Sequence, residues 1–94
     1  MKSKIITEKE LMQVLPEWGS YAEEWGDDPS EMLIKIEWYP EDPDIIYIRD
    51  VTGGYSYTLE EVVRTEDPEA FRKLMLLLEG KENGKGSCAV PGKD

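Results

Sequence analysis

The spacing of apolar residues changes several times along the chain, and each change marks a predicted element. Thr7 stands three residues before Glu10, the spacing of a capping box, with Ile6 and Leu11 at the two positions of a hydrophobic staple. A helix should therefore start near Glu8 and bury Leu11, Met12, Val14 and Leu15. It should end after about two turns, because Pro16 lacks an amide hydrogen and restricts the residue before it. Residues 16 to 30 then mix turn formers with Trp18, Tyr21 and Trp25. Ser20 and Glu23 predict one further capped helical turn before Gly26. At least two of these rings are expected to lie over a sheet, since large aromatics contribute heavily to a small core. The alternative is an exposed aromatic anchor of the kind found at interface hot spots.

Strict alternation follows. Met32, Ile34, Ile36 and Trp38 fall on one side and Leu33, Lys35, Glu37 and Tyr39 on the other, which predicts a half-buried strand. A second β-rich run from Ile45 to Val51 reads as its hairpin partner across Pro40, Glu41, Asp42, Pro43 and Asp44. A five-residue loop sets Ile36 opposite Ile48 and Trp38 opposite Ile46, uniting the apolar faces; a four-residue loop would set Lys35 beside Ile48. Hydrophobic matching selects the first register. Thr52, Gly53 and Gly54 signal a tight turn into a short third strand at Tyr55, Ser56 and Tyr57. Thr58 and Glu61 repeat the capping-box spacing and predict a short helix through Leu59, Val62 and Val63. Asp67, Pro68 and Glu69 open a longer one, with Phe71, Leu74, Met75 and Leu78 on one face, Leu77 beside it and Gly80 as its stop.

The expected fold is thus α+β: an N-terminal helix, a three-stranded antiparallel β-meander, one short and one longer C-terminal helix. It occupies residues 1 to 80 as a single domain, and residues 81 to 94, rich in Gly and Lys, are expected to be a flexible tail. With 94 residues there is room for one modest core, and the 39% of apolar residues is enough to fold one.

Charge changes the picture most. The formal net charge is −10, and between positions 8 and 69 there are 18 acidic residues against Lys9, Lys35, Arg49 and Arg64. Such a field repels nucleic acid and anionic membrane and attracts basic partners. The single cysteine, Cys88, excludes an intrachain disulfide, and the N-terminus lacks the apolar region of a signal peptide, so the cytoplasm is the expected compartment.

The usual chemistry of a catalyst is missing. Histidine, the commonest general base, is absent from the chain, and Cys88 falls in the tail where no scaffold would place a base beside it. Asp27, Asp28 and Glu31, or Glu41, Asp42 and Asp44, could gather a divalent cation, yet neither set has the spacing of a calcium loop. Gly53 and Gly54 are too short for a phosphate cradle and fit a turn better. No enzymatic activity and no cofactor are expected. Helix, meander, helix is also the element order of the double-stranded RNA-binding domain, but such domains place lysines at the start of the last helix, where this chain has Glu66, Asp67 and Glu69.

What the sequence offers is an acidic surface with aromatics among the charges. Its candidate binding residues are Glu23, Glu24, Asp27, Asp28, Glu31, Tyr39, Glu41, Asp42, Asp44, Tyr47 and Tyr55, which together could meet a basic protein surface. In size, charge and architecture the chain resembles phage-encoded inhibitors that imitate nucleic-acid phosphates, and the resemblance implies a decoy for a basic, nucleic-acid-binding protein. An immunity protein or antitoxin against a basic toxin would share this surface. An accessory docking domain would use the tyrosine face instead.

Overall fold

The computed structural model describes residues 1 to 80; the tail expected at 81 to 94, with Cys88, lies outside the described residues. The architecture is α+β, with strands β1 (Lys2–Thr7), β2 (Leu33–Tyr39), β3 (Asp42–Asp50) and β4 (Tyr57–Val63), and helices α1 (Glu8–Val14), α2 (Tyr21–Glu24) and α3 (Pro68–Leu78). The strands form one antiparallel sheet in the order β1-β2-β3-β4.

Local signals settle the helices as expected. The Thr7 hydroxyl accepts the Glu10 amide at 3.2 Å while the Glu10 carboxylate accepts the Thr7 amide at 2.9 Å, a complete capping box. The Ser20 hydroxyl caps α2 through the Glu23 amide at 3.1 Å, and the Asp67 carboxylate caps α3 through the Ala70 amide at 3.3 Å. Helix α3 stops at Gly80, whose φ of 75° is a conformation that residues with a Cβ rarely adopt. The buried face of α3 is Ala70, Phe71, Leu74 and Leu77, with Met75 and Leu78 packed at its border. Leu77 therefore belongs to the centre of the face and not to its flank.

Two strand assignments differ from the sequence reading. The chain begins with a strand, so the sheet has four strands and not three. In β1 only Ile6 is buried while Ile5 is 57% exposed, so the segment has no apolar alternation to read; its pairing is supplied by the free edge of β2. The second difference is in the last strand: Tyr55 and Ser56, expected in it, lie outside β4, which begins at Tyr57 and continues through Thr58, where a short helix was expected, to Val63. The Thr58 hydroxyl accepts a hydrogen bond from Arg49 at 2.6 Å. Thr58, Val62 and Val63 are β-branched, and β3 offers an unpaired edge, so tertiary pairing overrides the local capping pattern.

The expected hairpin register is the observed one: Ile36 pairs with Ile48 and Trp38 with Ile46. The connection differs in detail, because β3 already begins at Asp42, which pairs with Tyr39, and the register then shifts between Trp38 and Tyr39. Across the Thr52 to Gly54 turn, Gly53 and Gly54 have φ of 75° and 88°, the positive values the sequence called for.

All three helices bury their apolar residues against one face of the sheet, where Ile34, Ile36, Ile46 and Ile48 are fully buried with Leu11, Ala22 and Leu74. At the ends of the chain's described part, α3 also reaches β1, and Lys2 bonds Glu79 at 3.2 Å. Ile36→Ala or Ile48→Ala is expected to cost about 2 to 5 kcal/mol, the usual range for emptying a fully buried site. Leu33→Ala, on the other face and 41% exposed, should cost far less in the same urea titrations. Equal losses at all three positions would overturn the assignment of faces.

Candidate functional site

The most heavily engaged side chain is one that charge and periodicity do not single out. Glu8, at the start of α1, is fully buried and its two oxygens accept four hydrogen bonds. One oxygen takes the Trp18 indole N–H at 3.2 Å and the Tyr21 amide at 2.9 Å; the other takes the Ser20 hydroxyl at 2.9 Å and the Ala22 amide at 3.1 Å. Burying a carboxylate is costly unless such donors replace its water. Here they also bind the segment after Pro16 to α1 and supply the unpaired amides at the start of α2. A hint was available in the sequence, in an acidic residue at the first helical position, but nothing there marked it as the anchor of residues 18 to 22.

This anchoring decides where the aromatics go. Trp18 and Tyr21 are partly buried against the core, with ring centroids 5.4 Å apart, while Trp25 is 52% exposed. The segment thus covers the helical side of the sheet, and two of its three rings are packed, as expected. Beside it, between α2, β4 and the start of α3, opens a cleft of about 770 Å³ lined by Trp18, Tyr21, Glu17, Glu24, Glu60 and Asp67 among others. The Tyr21 hydroxyl donates to Glu60 at 3.4 Å. Burial raises the Tyr21 pKa, and Glu60, Glu24 and Glu8 raise it further, since three nearby carboxylates oppose a phenolate.

Among the described residues, no buried helix residue lies against the other sheet face. Its centre is Glu37, only 6% exposed, which receives Arg49 Nε at 2.6 Å and Lys35 Nζ at 3.2 Å. Burial works against its ionisation, but the hydrogen bonds from Arg49, Tyr39 and Lys35 outweigh it and hold its pKa below the usual value. Tyr39 and Tyr47 stand in edge-on contact at 6.0 Å, and Arg49 lies 5.4 Å from the Tyr47 ring. The Tyr39 pKa is raised because its hydroxyl faces the Glu37 carboxylate; that of Tyr47 is raised by burial and by Asp42 and Glu61.

The structure sorts the candidate binding residues into separate groups. Tyr39, Asp42 and Tyr47 come together at the hairpin, where the Tyr47 hydroxyl reaches Asp42 at 3.5 Å; Glu41 is exposed beside them. Asp44 is drawn away into an ion pair with Arg64 at 2.9 Å. At the opposite end of β2, Asp27, Asp28, Glu31 and Tyr55 line a smaller cavity of about 210 Å³ with Trp25 and the buried Asp50. Tyr55 therefore does not join the tyrosine face; it packs on Tyr57 at 4.9 Å. Glu23 and Glu24 are exposed on α2, and Glu24 faces the larger cleft. The seven residues of β2 separate the two acidic ends by roughly 20 Å. Among the described residues, no three carboxylates or thiols are grouped closely enough to hold a metal ion. Likewise, among the described residues, no helix is long and apolar enough to cross a membrane. Comparison with protein-family models, with curated proteins and with solved structures finds no match to the chain.

Two outcomes test these networks. Glu8→Gln replaces an acceptor oxygen by an amide that cannot accept, so two donors lose their partner, each at a cost of about 1–3 kcal/mol. Urea denaturation should show that loss, with Trp18 emission altered in the folded state; unchanged stability would mean the four hydrogen bonds are dispensable. For Glu37 the lowered pKa sets the sign: its contribution is present above the ordinary glutamate value of 4.5 and is lost as pH falls through the lower folded value. Glu37→Gln should accordingly be less stable than the parent at pH 7, and the difference should shrink as the solution is acidified below 4.5. A difference independent of pH would exclude the ionic role.

Proposed function

We propose that the protein is a non-catalytic binding protein that inhibits a basic, nucleic-acid-binding protein stoichiometrically, presenting carboxylates where that partner would meet phosphates. The observation that carries this reading is how the charges are distributed between paired and unpaired groups. Lys2, Lys35, Arg49, Arg64 and Arg72 are each tied to a carboxylate of the same chain. By contrast, among the described residues, Asp27 and Glu31 at one end of β2 and Glu41 at the other are exposed and form no ion pair. The negative field at both ends of the sheet is therefore left for an external cation to meet. Aromatic rings stand beside both groups, Trp25 and Tyr55 at one end and Tyr39 and Tyr47 at the other, and supply the apolar contact that charge alone does not.

A second reading uses the sheet face around Tyr39 and Tyr47. Among the described residues no helix packs on that face, and Glu37 and Glu61 together offset Arg49 and Lys35 there, so a partner docked on it would respond little to salt. Affinity for a partner captured from lysate, measured at several ionic strengths with and without its nucleic acid, separates the two. Inhibition by mimicry predicts mutually exclusive binding and a steep loss of affinity with salt. Asp27→Asn with Asp28→Asn and Glu31→Gln, or Glu41→Gln with Asp42→Asn, should weaken binding and flatten the salt dependence while leaving the fold intact. Tyr47→Ala should lose affinity with the salt slope unchanged if the sheet face is the contact. A ternary complex with nucleic acid, indifferent to the acidic substitutions, would sink the mimicry reading and promote the second.

A further inference from the structure

We infer that the cleft between α2, β4 and the start of α3 is a receptor for one guanidinium or alkylammonium group, and that an arginine or lysine side chain of the basic partner fills it. The assignment of the occupant rests on the reading above; the chemistry of the cleft does not. Its volume of about 770 Å³ falls in the range of sites that hold drug-sized ligands, roughly 300 to 1,000 Å³, and leaves room for a whole arginine or lysine side chain.

The lining selects a cation. Trp18 and Tyr21 stand in contact, with ring centroids 5.4 Å apart and planes inclined at 56°, and together form one angled aromatic wall on which a cation can lie. Glu8 accepts the indole N–H of Trp18 from behind, which both fixes the ring and draws electron density into it. Around the mouth stand Glu17, Glu24 and Glu60. None of these three forms an ion pair among the described residues, and no basic residue lines the cleft. Asp67 is different: its carboxylate is engaged at the α3 cap, where it offsets the positive helix end that would otherwise repel a cation. The Tyr21 hydroxyl, already donating to Glu60 at 3.4 Å, keeps that carboxylate at the edge of the aromatic wall.

A neutral or anionic guest would gain little here. An anion would face three carboxylates, and a purely apolar one would leave them partly desolvated without a counter-charge. A planar guanidinium can stack on one ring while it donates to a carboxylate, a combination that a compact ammonium makes less completely.

The test is a two-dimensional NMR titration of the full chain with agmatine, which is decarboxylated arginine with its guanidinium on a four-carbon chain, and with butylurea as a neutral analogue of the guanidinium end. Saturable shifts confined to the Trp18 indole N–H and the amides near Tyr21 and Glu60 are expected, with butylurea at least tenfold weaker. Glu24→Gln with Glu60→Gln, both exposed, should weaken agmatine at least tenfold while the remaining spectrum stays in place. Equal binding of butylurea, or agmatine shifts spread over Asp27, Glu31 and Glu41 and untouched by the double substitution, would overturn the receptor. The same double variant should lower affinity for the captured partner at least tenfold; an unchanged affinity would overturn the assignment of its side chain to the cleft. The two readings fail separately. A partner that competes with nucleic acid while agmatine misses the cleft rejects the receptor alone, and agmatine held in the cleft of a protein that binds no basic partner rejects the inhibitor alone.

Discussion

A buried carboxylate with four donors around it fixes the path of residues 18 to 22 and, through them, the helical side of this molecule. Glu8 sits where α1 begins, beneath the loop that leaves it, and its carboxylate gathers an indole, a hydroxyl and two amides from a segment 10 to 14 positions further along the chain. A buried carboxylate tolerates few arrangements, because each missing donor is expensive in a site that water does not reach. That intolerance is what gives the irregular stretch after Pro16 a definite path. Trp18 is held against the core, α2 starts at Tyr21, and the cleft acquires its aromatic wall. The backbone adds to the same junction, since the Glu8 and Lys9 amides donate to the Met32 and Pro29 carbonyls at 2.9 and 3.1 Å.

The parts of the fold that were legible in the sequence are those where one short-range rule acts without competition. The capping box at Thr7, the Ser20 cap, the alternation through Ile34 and Ile36, and the proline and glycine that bound α3 all act within a few residues. The register of Ile36 with Ile48 was legible for a different reason: a slip by one residue would expose an entire apolar face. What could not be read depends on partners far along the chain. Strand β1 has almost no hydrophobic period and exists because β2 has an edge to fill; Thr58 carries a helix-start pattern that the edge of β3 overrules.

The candidate site was legible in kind and not in arrangement. Composition identified acidic residues and tyrosines as the material of a binding surface. It could not show that Tyr55 leaves the tyrosine face, that Asp44 is neutralised by Arg64, or that Glu37 pairs with both Arg49 and Lys35 on the open side of the sheet. Those outcomes follow from strand pairing, which sets Tyr47 between Glu37 and Glu61 and Lys35 opposite Arg49. The cleft was invisible for the same reason. Glu60 is brought to Tyr21, 39 positions away in sequence, only because β4 is a strand.

The seam between β1 and α3 bears on the order in which the fold can be assembled. Lys2 and Glu79 meet across 77 positions, and the outer strand and last helix support one another there. Such a contact closes nearly the longest loop the domain can make, and the entropy of that closure is recovered only when the intervening sheet is already in place. The place of the chain's first strand is set by its pairing with β2, and the contact with the last helix closes the seam over it. During synthesis on a ribosome, Lys2–Thr7 emerges before its partner strand and can pair only once Leu33–Tyr39 has cleared the exit tunnel, while the seam to Pro68–Leu78 closes last.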